Sequence, residues 1–78
     1  MIDELDSVVL TEDIPDFKLA KGDIGTVVLV HNNGEGYEVE FVTLGGDTIA
    51  VTTLFPVQIR MIGDMEIANA RGIDTVAA

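Results

Sequence analysis

Apolar and polar residues alternate in short runs along most of the chain, and this pattern predicts five β-strands. Each run is rich in β-branched or aromatic residues, and turn-forming residues separate it from the next. The predicted strands are residues 7–11, 24–31, 37–42, 48–53 and 58–62. The alternation is clearest in the third run, where we expect Tyr37, Val39 and Phe41 to point inward. Pro56 predicts a single turn of 3₁₀ helix before the last strand.

A polar turn that carries Gly22 and Gly25 leads into the second strand. Glycine accepts positive φ angles and lets another segment approach closely, so this turn favours the start of a curved strand. Strict alternation along the strand predicts that Val27 and Val30 lie on opposite faces.

The long loop before this strand is expected to cover one end of the sheet. Its apolar residues Ile14, Phe17 and Leu19 can lie beneath the loop while its lysines stay in water. In so small a domain we expect all three phenylalanines, Phe17, Phe41 and Phe55, to belong to the core.

The order of these elements is typical of an all-β, five-stranded SH3-like barrel. A strand and a long loop precede a three-stranded meander, one turn and a last strand. We assign residues 1–63 to this barrel and expect its first and last strands to close the sheet. Residues 64–78 form a C-terminal tail, in which Asp64 can cap a short helix over residues 65–71. Because two helical turns are marginal in water, the tail is either a docked short helix or disordered.

The net charge of −10, from 14 acidic and 4 basic residues, limits the partners that the chain can attract. A phosphate backbone or an anionic membrane surface would be repelled, so we expect neither nucleic acid nor membranes as partners. The acidic first residues do not resemble a secretory signal, and we therefore expect a cytoplasmic protein. Without cysteines, the small domain must be stabilised by packing or by a second copy, so a homo-oligomer is one expectation.

A set of acidic residues is the best candidate for a surface that binds a partner. Its members are Glu12, Asp13, Asp16, Asp23, Glu35, Glu38 and Glu40. They would present an anionic surface to a basic protein, with association accelerated by electrostatic steering and slowed by salt. The loop carboxylates lack the spacing of an EF-hand, so we do not expect a metal site there. Since Glu38 and Glu40 share a solvated face, we do not expect them to act as acid and base.

The remaining candidate residues give little support to catalysis. We interpret His31, the only histidine, as a hairpin-end residue, because no cysteine or second histidine is present to complete a metal site. The glycines around Asp23 and Glu35 do not precede a predicted helix and lack the lysine of a phosphate-binding loop. Ser7, Thr11 and Thr52 have no histidine partner nearby in any plausible geometry, so nucleophilic catalysis has no support. We therefore predict that the protein is not an enzyme and uses no cofactor.

Three motifs in order resemble a family of small bacterial proteins of unknown function. The motifs are DSVVLTEDIP at residues 6–15, LAKGDIGTVV at residues 19–28 and YEVEF at residues 37–41. The resemblance spans about residues 3–62. It implies an SH3-like barrel, and the family, common in cyanobacteria and proteobacteria, has no assigned activity. The glycine-containing motif is similar, more loosely, to KOW-type barrels and to the barrel of the nitrile hydratase β subunit.

Two hypotheses for function follow from the sequence. In the first, the protein is a non-enzymatic interaction module that binds a basic protein, in the manner of an antitoxin or immunity protein. In the second, it is a structural or accessory subunit that self-associates through an edge strand or through its apolar C-terminal tail.

Overall fold

The computed structural model describes residues 1–73 and contains the five strands that the sequence predicts. These are β1 (Ser7–Leu10), β2 (Ile24–His31), β3 (Gly36–Val42), β4 (Thr48–Leu54) and β5 (Ile59–Met61). Two single turns of 3₁₀ helix lie at Pro15–Phe17 and Pro56–Gln58, the second as expected from Pro56. Residues 1–73 include no helix with the length and apolar character that a lipid bilayer would require of a spanning segment.

The strands form one antiparallel sheet in the order β4-β3-β2-β1-β5. The expected pairing of the first and last strands is present, since β1 pairs with β5 from Val8 to Leu10. The expected closure into a barrel is wrong, because no ladder in the described part of the chain joins β4 to β5. β5 is a short strand of three residues, and within residues 1–73 it pairs only with β1.

One face of the sheet buries the core, and Tyr37, Val39 and Phe41 point into it as the alternation predicts. The core cluster consists of Val8, Leu10, Leu19, Val27, Tyr37, Val39, Phe41, Ala50, Leu54 and Ile59. Phe41 is the only phenylalanine among them. The expectation for Phe17 and Phe55 is wrong, because the 3₁₀ turns leave these side chains 41% and 59% exposed.

A bulge at Val28 changes which residues of β2 face the core. The register shifts between Val27 and Leu29, so that Leu29 lies opposite Glu38 while Val27 and Val30 both lie opposite core residues of β3. The prediction that Val27 and Val30 occupy opposite faces is therefore wrong. A bulge inserts one extra residue into one strand, so the alternation after Val28 is shifted by one residue, and Val27 and Val30 face the same side although they are three positions apart.

The two glycines before and within β2 have the roles that the sequence predicts. Gly22 has a φ of +96°, which a residue with a side chain rarely adopts. Gly25 is buried in β2, and the side chains of Val39 and Phe41 fill the space that a Cβ would need. The turn therefore brings β2 close against β3.

The C-terminal segment, residues 62–73, runs back along the sheet without forming a helix. The predicted helix over residues 65–71 is wrong. The chain makes only one turn, in which the Glu66 N–H donates to the Gly63 carbonyl. The Glu66 side chain then binds Arg60, so contacts with the sheet replace a helix that would be marginal on its own. Residues 74–78 of the predicted tail lie outside the described residues.

Candidate functional site

One end of the sheet carries a cavity of about 550 Å³ between the strands and the C-terminal segment. Because the strands are antiparallel, the start of β2, the end of β3 and the start of β4 meet at this end. Apolar side chains from this region, among them Leu19, Ile24, Phe41 and Ile49, line one side of the cavity. Residues 68–73 line the other side. The cavity is therefore mainly apolar and is covered by the C-terminal segment.

Arg71 attaches this segment to the sheet by binding Asp23. Its Nε donates to Asp23 Oδ1 at 2.8 Å, and its Nη2 donates to Asp23 Oδ2, which makes the pair bidentate. Nη2 also donates to the Lys18 carbonyl at 3.0 Å. A planar guanidinium matches this set of acceptors, because its donors are fixed in a fork. Asp23 and the Lys18 carbonyl together therefore form an arginine-binding site, which we call the arginine receptor.

Hydrogen bonds from Arg71 are the main cause of a lowered pKa at Asp23. Partial burial opposes this shift, and the Ala20 N–H adds to it by donating to Asp23 Oδ2 at 2.8 Å. The same ion pair raises the pKa of Arg71. Asp23 is thus a charged acceptor at neutral pH and a weak base.

The turn before β2 fixes the position of Asp23. The Asp23 N–H donates to the Ala20 carbonyl at 2.9 Å, and the Leu10 N–H donates to the Asp23 carbonyl at 2.9 Å. The carbonyl of Leu10 in turn accepts from the Gly22 N–H. The backbone N–H, the backbone carbonyl and one carboxylate oxygen of Asp23 all form hydrogen bonds. These fix the orientation of the carboxylate in which it accepts from a guanidinium.

A second ion pair holds the C-terminal segment nearer to β5. Arg60 donates to both carboxylate oxygens of Glu66, at 2.7 and 2.8 Å, and the Gly63 N–H donates to the same carboxylate at 2.7 Å. These contacts, the Arg60 hydrogen bonds above all, lower the pKa of Glu66 to about 2. Both arginines of the chain therefore attach the C-terminal segment to the domain.

The structure distributes the predicted acidic residues over three places. Four of them lie at the cavity end, in the loop between β1 and β2: Glu12, Asp13, Asp16 and Asp23. Glu35 lies in the hairpin at the opposite end, and Glu38 and Glu40 lie on the outer face of β3. Three of the four at the cavity end accept hydrogen bonds: Asp13 from the Lys21 N–H, Glu12 from Gln58 of the second 3₁₀ turn, and Asp23 as above. The seven carboxylates therefore do not form a single surface.

A small polar cluster on the outer face joins three strands through Glu38. His31 Nε2 lies 3.0 Å from Glu38 Oε2, and the Thr53 hydroxyl donates to the same oxygen. The Thr53 hydrogen bond, followed by that of His31, lowers the pKa of Glu38. In a nucleophilic triad the imidazole lies between hydroxyl and carboxylate, whereas here the carboxylate lies in the middle. The cluster therefore links strands and does not activate Thr53.

Sequence reasoning missed both Arg71 and the contact between His31 and Glu38. Arg71 and Asp23 are 48 residues apart, and Arg71 falls in the predicted helix. One feature of the sequence could have indicated Arg71. The chain has only two arginines beside 14 acidic residues, so each arginine has many carboxylates available to pair with. Across the described residues, no three His, Cys, Asp or Glu side chains come together in a way that could hold a metal ion.

Comparison with protein families gives a match to the family described as "Domain of unknown function (DUF4926)" over residues 4–61. Comparison with curated proteins and comparison with solved structures each gave no match. The matched region contains all five strands and Asp23, and it ends before the C-terminal segment. Because the match spans most of the chain, the chain belongs to the DUF4926 family.

Proposed function

We propose that this protein is a non-enzymatic interaction module that binds a basic segment of another protein at the cavity end of the sheet. One observation carries the proposal: Asp23 already holds a guanidinium in bidentate geometry beside an apolar cavity. The net charge of −10 adds long-range attraction for a basic partner. An apolar cavity with one well-placed charge is suited to recognition of a side chain together with its apolar neighbours.

The chemistry of the cavity supports binding better than catalysis. Its polar side chains are Asp23, Thr43, Asn69 and Arg71, and the two charged ones are hydrogen-bonded to each other. A general base needs a pKa near the working pH, whereas that of Asp23 is lowered from an already acidic value. Asp23 is therefore ionised at neutral pH and can pair with a cation, but it is a poor general base.

The fold that we propose for this module is SH3-like. The support is the strand order, in which β1 pairs with both β2 and β5 while β2, β3 and β4 form a meander. The open side between β4 and β5 departs from a closed barrel.

Affinity capture from the lysate of cells that express the protein, at about 0.05 M and about 0.5 M salt, tests this proposal. Each protein captured only at low salt is then purified and titrated against wild type and the Asp23→Asn variant. We expect a basic partner whose affinity falls both with salt and with this substitution. Asn keeps an oxygen that can accept from the Ala20 N–H, so the turn survives. A partner that is acidic, or one that binds equally at both salt concentrations, would contradict the proposal.

The open edge of β4 supports a second candidate function, self-association as a structural subunit. β4 contains seven residues, Thr48–Leu54, without a charge or a proline, and nothing in residues 1–73 pairs with its outer edge. Natural proteins usually protect such an edge with charges or bulges. Val51 lies on this strand and is 51% exposed.

Sedimentation equilibrium distinguishes this second candidate from the first. A dimer through β4 predicts that Val51→Lys converts the protein to a monomer, because a lysine on an edge strand disfavours pairing with a second strand. Val57→Lys is the matched control, since Val57 is 79% exposed and lies outside the strands. A wild-type protein that is monomeric at high concentration would exclude the second candidate.

A further inference from the structure

We propose that the arginine receptor recognises an arginine flanked by small residues in the partner, and that the C-terminal segment of this chain occupies the receptor as an intramolecular competitor. This inference rests on the proposed function and identifies the partner's recognition element. It also predicts that binding is regulated by release of Arg71.

The boundary of the family match separates the receptor from its occupant. Asp23, Lys18 and the apolar side chains on the sheet side of the cavity, such as Ile24 and Phe41, lie within residues 4–61. Arg71 and its neighbours lie after this region. All residues of the arginine receptor therefore belong to the matched domain. The arginine that occupies it belongs to the C-terminal segment, which lies outside the match.

The C-terminal segment is attached to the sheet by contacts weak enough for a partner to displace it. Its two anchoring ion pairs are partly exposed, with side-chain exposures of 50% and 37% at Arg60 and Glu66 and of 37% and 19% at Arg71 and Asp23. Water screens such partly exposed ion pairs, so each contributes only modestly to stability although both are bidentate. The apolar residues Met65 and Ile67 are 96% and 93% exposed, so they do not hold the segment on the sheet. A partner can therefore replace the segment without unfolding the core.

The geometry of the bound guest indicates the chemistry that a partner needs. Arg71 uses Nε and Nη2 on the two carboxylate oxygens, and Nη2 also reaches the Lys18 carbonyl. A lysine ammonium, being a point charge, cannot reproduce this fork. Small residues, Ala70 and Gly72, flank the arginine where the segment lines the cavity, and Ile73 follows. The preferred partner segment is thus arginine between small residues, followed by an apolar residue.

The test uses a synthetic peptide with the sequence of residues 67–73, titrated against the full-length protein by fluorescence anisotropy. In the Arg71→Ala variant the intramolecular guanidinium is absent, so the receptor is open to the peptide. If the segment occupies the receptor nine tenths of the time, the variant should bind the peptide about tenfold more tightly than wild type does. Lys21→Ala is the matched control, because it removes the same charge at the same end of the sheet and leaves the Arg71 contacts in place. This control should bind as weakly as wild type.

Two further variants identify the receptor. Adding Asp23→Asn to Arg71→Ala should abolish the gain, and Arg71→Lys in the peptide should weaken binding to the open receptor about tenfold or more. Equal peptide binding by wild type and Arg71→Ala, or binding that survives Asp23→Asn, would overturn the inference.

The inference and the proposed function fail in different ways. A basic partner whose affinity is unchanged by Arg71→Ala would overturn the inference and leave the proposed function in place. In the opposite case, Arg71→Ala binds the peptide but the lysate contains no basic partner whose binding depends on salt. The contact between Arg71 and Asp23 would then be purely intramolecular, and both proposals would be wrong.

Discussion

Substitution of Gly25 by alanine tests how closely β2 packs against β3. A Cβ at Gly25 would lie 2.6 Å from Val39 Cγ1, 2.7 Å from Phe41 Cε2 and 3.0 Å from the Glu40 carbonyl oxygen. Contacts below 3 Å force atoms to move, and neither the buried side chains nor the backbone of β3 can move without disturbing the core. A methyl group at position 25 is therefore expected to strain the packing of β2 against β3.

The expected cost of Gly25→Ala follows from these contacts. Overpacking a core costs about 1–3 kcal/mol, and two clashes with fully packed side chains place this substitution at about 2–3 kcal/mol. A domain of this size has a free energy of unfolding of about 4–12 kcal/mol. With an m-value of about 1 kcal/mol/M, the midpoint of urea unfolding should fall by about 2–3 M.

Urea unfolding followed by circular dichroism measures this change, with Gly36→Ala as the matched control. Gly36 is also a buried strand residue, but a Cβ there would meet its nearest atom at 3.8 Å, an ordinary contact. The control should therefore remain within about 0.5 kcal/mol of wild type. If Gly25→Ala unfolds at the same urea concentration as Gly36→Ala, the packing described for β2 and β3 is incorrect.

Three further predictions have different physical origins. Leu10→Ala should destabilise the protein by about 2–5 kcal/mol, since Leu10 is 1% exposed, whereas Leu44→Ala, at a side chain 97% exposed, should leave urea unfolding nearly unchanged. Gly46→Ala should cost about 1 kcal/mol although its Cβ would meet nothing within 4 Å, because φ is +99°, and an unchanged midpoint would refute the conformational argument. The pKa of Glu66, lowered to about 2 from an ordinary 4.5, means that its attachment to the sheet is fully present above pH 4.5 and is lost as pH falls through about 2. In Arg60→Ala, NMR titration should return the midpoint of Glu66 toward 4.5, and an unchanged midpoint would argue against this ion pair.

The strands were predictable because their signals are local. Alternation at Tyr37, Val39 and Phe41, together with glycines at the turns, depends only on neighbouring residues, and all five strands form where the pattern places them. The bulge at Val28 was not predictable in this way. It depends on how two residues of β2 oppose one of β3, which alternation within one strand does not record.

The candidate site was predictable only in part. Asp23 was among the expected acidic residues because the chain has a large excess of negative charge. Its role depends on Arg71, which lies 48 residues away in a segment whose local pattern favours a helix. A tertiary ion pair and a covered cavity outweighed that weak local preference, and short sequence windows contain no information about such contacts.

NMR observation of the Arg71 Nε–H in the full-length wild-type protein tests most directly whether Asp23 binds an arginine at this end of the sheet. The account predicts a single resolved resonance that exchanges slowly with water, shows nuclear Overhauser effects to residues 18–23 and moves to the position of a solvated arginine in Asp23→Asn. A resonance already at the solvated position in wild type, and unchanged in Asp23→Asn, would contradict the account.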